Sequence, residues 1–370
     1  MVDLIDMVQT LTTPHPLDRY LELIRPTLTA RRLRAEVTHV RRSTPGSVTL
    51  TLRPTRQWRG HTAGQYVQIG VVIDGIRHTR CYSPVNPENR RGKHIQLTVK
   101  SHTGGLVSEH LYRHAAPGLV VDLEPAAGTF ALPKARPDRL LLVSGGSGIT
   151  PVLSMLRTLA GEGYRGELTF LHYAKSPVLV PHRAELDAIA RAHNNFRIEL
   201  RYPGRHAADD LEPVTVRSCT EISGAGYFDY DELERVAPWF AEAQTFVCGP
   251  QALMDAVRKV YEAEQLGDRL HTEEFTLNFA PVDDTDVHGT VSFSASGVSA
   301  ANSGSTLLEQ AEAAGLSPEY GCRMGICFSC TAVRRTGCTR NVRTGETNSD
   351  PDQPIQLCIS APVGDVEIDV

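Results

Sequence analysis

The sequence predicts a multi-domain protein in which an antiparallel β-barrel, a parallel α/β sheet and a small cysteine-bearing domain follow one another. Three observations predict this order. The 370 residues exceed what one hydrophobic core usually supports. Short β-rich runs separated by Gly and Pro give way near residue 139 to an alternation of apolar strands and helices. A polar stretch then precedes a cluster of cysteines near the C-terminus.

We predict five segments along the chain. They are an N-terminal helical extension over residues 1–34, a β-barrel over 35–137, an α/β domain over 138–276, a linker over 277–288 and a C-terminal domain over 289–370. In the extension, Leu17, Leu21 and Ile24 recur at helical spacing. We therefore expect a helix over His15–Leu33, interrupted or ended near Pro26.

The barrel is predicted from runs rich in β-branched residues and bounded by turn residues. These runs are Glu36–Val40, Ser47–Arg53, Tyr66–Ile73, Ile95–Lys100 and Leu119–Leu123.

The α/β domain is predicted from apolar strands that alternate with amphipathic helices, which is typical of a parallel sheet. The strands are Leu140–Val143, Leu168–Tyr173, Arg197–Arg201 and Thr245–Val247. The helices are Pro151–Leu159, His182–Ala192, Tyr230–Val236 and Ala252–Ala263. The C-terminal domain opens with a strand over Thr290–Ala295 and a helix over Thr306–Ala314.

The composition is that of a globular protein, with 41% hydrophobic and 22% charged residues. No apolar run reaches bilayer-spanning length, so no transmembrane segment is expected. Residues 1–13 lack the basic start and apolar stretch of a secretory signal. We therefore expect the eight cysteines to lie in a reducing cytoplasm, where disulfides are rare.

The net charge of −5 is unevenly distributed. Residues 1–60 carry ten basic and five acidic side chains, whereas residues 287–370 carry five basic and nine acidic ones. An acidic C-terminal domain argues against nucleic-acid binding there. It suits docking to a basic protein surface, where charge sets encounter rate and orientation.

The cysteine cluster reads Cys322-x4-Cys327-x2-Cys330 and is followed by Cys358. This spacing is the ligand pattern of plant-type [2Fe-2S] ferredoxins. A zinc site and buried thiols are the alternatives, although zinc usually takes paired C-x2-C knuckles. The remaining candidates, Cys81, Cys219 and Cys338, do not fit the pattern.

The stretch Tyr320–Cys330, YGCRMGICFSC, resembles the cluster loop of plant-type ferredoxins. The resemblance implies a β-grasp fold for the C-terminal domain. The helix predicted before the loop fits that fold.

Two segments of the barrel could serve a flavin. In Arg80-Cys81-Tyr82-Ser83, an arginine can neutralise a phosphate, a tyrosine on the same side can cover the ring system, and Ser83 can bond the reactive nitrogen. Gly105-Leu106-Val107-Ser108 opens a helix predicted over Ser108–Arg113, whose first amides could hold a diphosphate. An ordinary strand and an ordinary helix cap are the alternatives.

Residues Leu140–Pro151 form an apolar strand, a glycine-rich turn and a helix start, with Thr150 expected as the cap. Such a turn can receive a diphosphate, although Pro151 replaces the last glycine of the Rossmann pattern. A second strand end should place Cys248 and Gly249 at the carboxyl edge of the sheet, where ligands bind. A small core residue is the alternative reading of Cys248.

Taken in order, RCYS, GLVS, GGSGITP and CGP resemble the ferredoxin–NADP reductase superfamily across about Ala35–Phe275. The resemblance implies FAD rather than FMN. It also implies cofactor contacts at Arg80, Tyr82, Ser83, Gly105, Ser108, Gly146, Gly148, Thr150, Cys248 and Gly249. Ser83, Cys248 and Phe275 are implied to lie beside the reacting flavin ring. Pro84 departs from the family pattern and leaves the local strand pairing open.

The dinucleotide is expected to be NADPH, with NADH possible. Arg183, Arg201 and Arg205 lie near the family's adenosine-ribose site, and a guanidinium there favours a 2′-phosphate. Solvated surface arginines are the alternative.

A hydride carries two electrons and a [2Fe-2S] cluster accepts one, so a flavin is needed between them. We predict transfer from NADPH through FAD and the cluster to a redox partner protein. The domain order is similar to that of the reductase components of multi-component oxygenases and membrane fatty acyl desaturases. Such a partner could bring this cytoplasmic chain to a membrane. Direct reduction of a small molecule and redox sensing by a binding protein are the alternative functions.

Overall fold

The computed structural model describes residues 17–24, 27–88, 92, 94–102, 104–203, 219–223, 226–274, 287–320, 325 and 328–370. Its contacts divide the chain into two units, Met1–Arg77 with Cys81–Glu274, and Phe275–Val370 with His78–Arg80. An antiparallel barrel sheet, a parallel sheet and a β-grasp sheet are all present, so the predicted fold class is confirmed. The predicted bounds of the five segments stay a prediction.

The N-terminal helix ends near Pro26, which was one of the two predicted outcomes. Helix α1 is Leu17–Ile24, and residues 27–33 are not helical. The Asp18 carboxylate instead accepts hydrogen bonds from the backbone amides of Arg31 and Arg32, at 3.2 and 3.0 Å. The second half of the predicted range, towards Leu33, is therefore held by these bonds to Asp18 and not by helical bonding.

The barrel sheet contains six described strands, in the order β4-β3-β6-β1-β2-β5. They are β1 Arg34–Thr44, β2 Ser47–Pro54, β3 Val67–Ile73, β4 Ile76–Tyr82, β5 Ile95–Lys100 and β6 Val120–Leu123. A bridge between Pro84 and Leu97 joins the chain after β4 to β5, so the two ends of the sheet meet. Helix α2, Leu106–His114, buries Val107 and Leu111 in the same core. Strand β4 was not among the predicted strands because its polar side chains give no apolar alternation.

The second sheet is parallel throughout its described strands, in the order β10-β9-β8-β7-β11-β12. The strands are β7 Arg139–Gly145, β8 Glu167–Tyr173, β9 Phe196–Tyr202, β10 Thr220–Ser223, β11 Gln244–Cys248 and β12 Leu270–Glu273. The helices are α3 Ile149–Glu162, α4 Arg183–Ala192, α5 Tyr230–Val236 and α6 Gln251–Ala263. The sequence analysis missed β10 and β12 because four-residue edge strands with polar residues carry little apolar signal.

A buried polar network around His182 joins the barrel to the parallel sheet. Its Nδ1 atom accepts from Arg41 at 3.3 Å and from Arg157 at 3.1 Å. Because arginine only donates, the proton of this imidazole lies on Nε2, which donates to Thr98 Oγ1 at 2.9 Å. Arg157 also donates to the carbonyl oxygen of Val85. These bonds connect β1 and β5 of the barrel to α3 and the start of α4.

The C-terminal sheet has the order β14-β13-β18-β15-β16, and β17 also pairs with β15. The strands are β13 Thr290–Phe293, β14 Val298–Ala301, β15 Thr331–Asn341, β16 Thr347–Asn348, β17 Gln353–Gln356 and β18 Ser360–Ile368. Strands β13 and β18 run parallel. Helix α7, Leu307–Ala313, begins with a capping box of Thr306 and Glu309 and packs its buried leucines under the sheet.

None of the helices in the described ranges is long and apolar enough to cross a membrane.

Candidate functional site

Strand β4 contains the first three residues of the RCYS motif and lies at the edge of the barrel sheet. Arg80 and Tyr82 are half-buried, and Ser83, directly after the strand, is 1% exposed. The Ser83 Oγ atom has no hydrogen-bond partner among the described residues. Because an unpartnered buried hydroxyl is costly, this atom is available to an atom of a bound group. The site therefore fits the predicted contact with a flavin.

Pro84 does not disturb the pairing that follows the motif. The Val85 amide donates to the Gln96 carbonyl at 2.8 Å, and the Gln96 amide donates to the Asn86 side chain at 2.8 Å. The pairing with β5 therefore continues past the residue that lacks an amide proton.

Gly105 and Ser108 form the N-terminus of helix α2. Gly105 is the N-cap, and the Ser108 hydroxyl donates to its carbonyl at 3.0 Å and accepts from the His102 amide at 3.3 Å. A Cβ atom on Gly105 would lie 2.5 Å from the Ser108 oxygen. This tight turn leaves the first amides of the helix for an external acceptor, which suits the predicted diphosphate contact.

The glycine-rich turn interlocks with the CGP turn. A Cβ atom on Gly148 would lie 2.1 Å from the Cys248 carbonyl oxygen, and one on Gly249 would lie 3.0 Å from the Gly145 nitrogen. The two motifs therefore touch through their backbones. This contact explains why Gly148 and Gly249, both predicted as ligand contacts, are glycines. Gly146, at a φ of +54°, instead has only Lys100 Nζ near its Cβ position, at 3.7 Å.

The prediction that Thr150 caps the next helix was wrong. A 3₁₀ turn over Gly146–Gly148 precedes α3, so Gly148 is the N-cap and Thr150 lies inside the helix. The Thr150 hydroxyl donates to the Ser147 carbonyl at 3.3 Å. Helical structure begins at Gly146, before the predicted cap at Thr150, because Gly146–Gly148 already form a 3₁₀ turn that leads into α3.

Cys248 lies at the end of β11, fully buried and in register with Ser144 on β7 and Glu273 on β12. Burial raises the pKa of the Glu273 carboxyl to about 8, and its Oε2 atom has no hydrogen-bond partner among the described residues. Burial, followed by the charge of Glu273, raises the pKa of the Cys248 thiol well above its ordinary value. At neutral pH this part of the site therefore holds a protonated carboxyl and a thiol.

The sequence analysis missed Glu273, which stands beside Glu274 in the sequence. Glu274 forms an ion pair with Arg258 and stays partly exposed. Leu270–Glu273 is a short strand with few apolar residues, so its sequence gave no strand signal. Its pairing with β11 places Glu273 next to Cys248 at the carboxyl edge of the sheet.

A cleft of about 410 Å³ lies between the barrel and the glycine-rich turn. It contains two lysines that the sequence analysis did not single out, Lys100 from β5 and Lys175 from the loop after β8. Burial and the charge of Lys175 lower the pKa of Lys100. The two ammonium groups are close enough for their charges to repel, and a bound anionic dinucleotide would relieve that repulsion. Other residues lining the cleft are Gly145, Gly146, Ser147, Thr150, Tyr227 and Pro250.

Two of the three arginines proposed for the 2′-phosphate are occupied by carboxylates. Arg201 is 1% exposed and pairs with Glu199 at 2.8 Å and Glu232 at 2.7 Å. Arg183 pairs with Glu221 at 2.5 Å. The prediction for Arg201 was wrong because its guanidinium belongs to the core, whereas Arg183 is partly exposed and stays a prediction. Arg205 and Phe275 lie outside the described residues.

In the C-terminal domain, the turn that carries Cys358 contacts the end of the cluster loop. The Leu357 amide donates to the Cys330 carbonyl at 3.0 Å, and both cysteines are buried. Gly325, at a φ of +71°, approaches the same turn so closely that a Cβ atom would lie 2.6 Å from Ile359. Two buried cysteines on turns that are hydrogen-bonded to each other fit two ligands of a sulfur-ligated cluster. The predicted ligands Cys322 and Cys327 lie outside the described residues.

Three domain families match the chain in succession. They are an oxidoreductase FAD-binding domain over residues 37–132, an oxidoreductase NAD-binding domain over 142–259 and a 2Fe-2S iron-sulfur cluster binding domain over 294–363. These matches agree with the three sheets and with FAD, NAD(P)H and [2Fe-2S] as the cofactors.

Similar proteins cover nearly the whole chain. An NADPH oxidoreductase of Mycobacterium tuberculosis is 35% identical over 97% of this chain and 90% of its own length. A glycine betaine monooxygenase reductase subunit of Pseudomonas aeruginosa is 30% identical over 83% of this chain and 86% of its own length. The solved structure of phthalate dioxygenase reductase has the same fold, with a TM-score of 0.63 and 23% identity over 92% of this chain and 98% of its own.

The barrel, the parallel sheet and the β-grasp domain thus each match a domain family, in the order that these relatives share. The chain belongs to the ferredoxin–NADP reductase superfamily of NAD(P)H-dependent oxidoreductases, in the group that carries a C-terminal plant-type [2Fe-2S] ferredoxin domain.

Proposed function

We propose that this protein takes hydride from NADPH and delivers single electrons to a separate oxygenase or desaturase component. The observation that carries the proposal is the presence, in one chain, of a dinucleotide cleft beside a flavin-type site and a buried pair of cluster-type cysteines. When bound, FAD exchanges two electrons for single ones, and a [2Fe-2S] cluster carries one electron at a time.

The chain's own residues hold the hydride site free of charge. When FAD is bound, the unpartnered Ser83 hydroxyl would donate to it, and Cys248 would lie beside the hydride path. Phe275, which the family resemblance implies at the same place, lies outside the described residues. The buried Cys248 thiol and the protonated Glu273 carboxyl add no negative charge there, because the pKa of each is raised by burial. Arg80 and the start of α2 at Gly105 and Ser108 would hold the phosphates of a bound flavin.

We propose NADPH over NADH because the cleft is cationic. Lys100 lies beside Gly146, in the turn that would receive the diphosphate, and Lys175 adds a second positive charge to the same cleft. The positive potential of these lysines would increase the affinity for a dinucleotide that carries an additional 2′-phosphate. Arg205 remains the proposed guanidinium contact. The relative named an NADPH oxidoreductase supports the same choice.

The proposed partner is a separate protein because the acidic C-terminal domain offers a complementary surface to a basic one. Relatives named as monooxygenase reductase subunits support an oxygenase, while a desaturase stays the second candidate. We place the chain in the reducing cytoplasm, where cysteine thiolates remain available to a cluster.

The test compares two electron acceptors. The variant Cys358→Ser should lose NADPH-dependent reduction of cytochrome c, which takes electrons singly from a docked surface, and should keep reduction of ferricyanide by the flavin. Cys338→Ser, which changes a half-buried thiol on β15, is the matched control and should keep both activities.

Undiminished cytochrome c reduction by Cys358→Ser would contradict the proposal. A small-molecule reductase would show rapid turnover of its substrate in both variants. A sensor would show no steady NADPH oxidation with any acceptor.

A further inference from the structure

One aromatic side chain of the cluster loop is exposed to solvent. Phe328 directly follows Cys327, stands two residues before Cys330 and is 67% exposed. Within the described part of the C-terminal domain, the other large hydrophobic side chain that is exposed is Val287, at 37%. Phe293 of the same domain is fully buried, as phenylalanines in a folded core usually are.

The backbone of Phe328 adopts a conformation that a phenylalanine normally avoids. Its φ is +59°, in the left-handed region, where bulky side chains are rare. The other non-glycine residues at positive φ in the described ranges are polar: Asp74, His182, Gln265 and Asp352. Both the amide and the hydroxyl of Thr331 donate to the Phe328 carbonyl, at 3.2 and 2.6 Å. A short turn therefore holds this residue in place with its ring exposed, and such strain concentrates at functional positions.

Phe328 is one of the residues that line a groove of about 410 Å³ over β15, β16, β17 and the start of β18. Pro354, Ile355 and Ile359 add apolar surface to this groove. The other residues that line it are polar and include Asn341, Gln356 and Glu346. An exposed aromatic side chain among apolar and polar neighbours is typical of the anchor of a protein–protein interface.

The charges around the groove favour a basic partner. The domain carries nine carboxylates and five arginines between residues 287 and 370. Of these arginines, Arg334 is fully buried, and Arg335 pairs with Asp352 and Asp369 at 3.0 and 2.5 Å. Glu346 lies on the groove itself, and Asp350 lies on the loop that follows β16. Because Arg334 is buried, the exposed surface of the domain is more acidic than the residue count alone indicates.

We propose that Phe328 and this groove form the surface on which the electron-accepting protein docks, with Phe328 as its apolar anchor. The partner that fits has basic residues around an apolar recess next to its own redox centre. Docking there places the acceptor against the loop that carries three of the cysteine ligands, and electron transfer slows steeply with distance. The proposal deepens the proposed function and rests on it.

The test measures binding as well as turnover, with the basic haem protein cytochrome c as the probe. Phe328→Gly removes the ring and suits the positive φ, so the loop should remain intact. We expect about a tenfold rise in the Kd for cytochrome c, measured by calorimetry with the oxidised holoenzyme at low ionic strength, and a similar rise in its KM. The visible cluster spectrum and the rate of ferricyanide reduction should not change.

Two further variants sharpen the result. Phe328→Trp should bind cytochrome c within about twofold of the wild type, because an aromatic anchor is retained. Phe328→Lys should weaken binding more than Phe328→Gly, because the new ammonium group repels the basic surface of cytochrome c. If the glycine variant loses its cluster, Phe328→Lys serves as the test variant in its place. Val287→Ala is the matched control and should change neither Kd nor KM.

Wild-type Kd and KM in Phe328→Gly or Phe328→Lys would overturn the docking surface while leaving the proposed function standing. A wild-type protein that reduces ferricyanide but neither binds nor reduces cytochrome c would overturn both.

Discussion

At the scale of single residues, burial decides the chemistry of ionisable groups at the edge of the parallel sheet. Glu273 and Glu274 are neighbours in the sequence, yet the first carries a proton near neutrality and the second pairs with Arg258. Lys100 likewise becomes part of the dinucleotide cleft through its place on β5 beside the glycine-rich turn. Local composition does not distinguish these residues from solvated ones.

Glu273 should make stability fall as pH rises. Its pKa is about 8 in the fold and near 4.5 when unfolded, so the folded state binds more protons between these values. The contribution of Glu273 to the free energy of unfolding is therefore largest below pH 4.5. It falls by about 1.4 kcal/mol per pH unit between pH 4.5 and pH 8. Glu273→Gln should flatten the decline of Tm over this window. Glu274→Gln is the control and should keep it; an unchanged slope in Glu273→Gln would contradict this assignment.

Lys100 should contribute to dinucleotide affinity through its charge. We expect Lys100→Met, which keeps the aliphatic stem, to raise the KM for NADPH about tenfold, as for the loss of one charge-assisted contact. Steady-state kinetics with ferricyanide measures this effect. Lys134→Met, at an exposed position, should have the wild-type KM. A KM unchanged by Lys100→Met would show that the dinucleotide does not reach this side of the cleft.

At the scale of elements, the start of helix α3 and the end of strand β11 approach each other closely through their backbones. Gly148 at the start of α3 faces the Cys248 carbonyl, and Gly249 faces Gly145. The RCYS segment depends in the same way on its neighbour, because Val85 returns the chain to β5 after Pro84. The motifs thus position one another as well as their ligands.

Gly148→Ala should therefore be severe. The new methyl group would lie 2.1 Å from a backbone oxygen that cannot move without shifting β11. We expect a loss of about 3 kcal/mol in stability and weak NADPH binding, measured by thermal unfolding and equilibrium titration. Gly161→Ala is the matched control in the same helix, where nothing lies within 4 Å of the new atom. It should be neutral or stabilising by about 0.5–1 kcal/mol. Equal stabilities for the two variants would rule out the steric explanation.

At the scale of the whole molecule, the barrel and the parallel sheet are connected by the network around His182, while the acidic domain forms a unit of its own. Burial, followed by the charge of Arg157, lowers the pKa of His182 to about 4. The neutral ring accepts from two arginines, which a protonated ring could not do.

Acid should therefore loosen this connection. Because the folded pKa of His182 lies below the unfolded value of 6.5, its contribution is fully present above about pH 6.5 and is lost as the pH falls towards 4. His182→Asn, which tolerates the positive φ, should lower stability at neutral pH by about 2 kcal/mol and reduce the acid dependence. Thermal unfolding at several pH values tests this. His39→Asn, at an exposed position on β1, is the control. An acid dependence identical to the wild type would exclude His182 as its source.

Much of the protein could be predicted from its sequence because the relevant signals are local. Apolar runs and their periodicity predicted the three sheets, and the cysteine spacing predicted a [2Fe-2S] domain, since ligands on one loop must be close in sequence. Short polar strands such as β4 and β12 gave no such signal. Tertiary structure alone decided that Arg201 is paired in the core, that Glu273 is buried beside Cys248, that Lys100 reaches the glycine-rich turn, and that Phe328 remains exposed. Burial and charge pairing depend on residues far apart in the chain, so no local pattern encodes them.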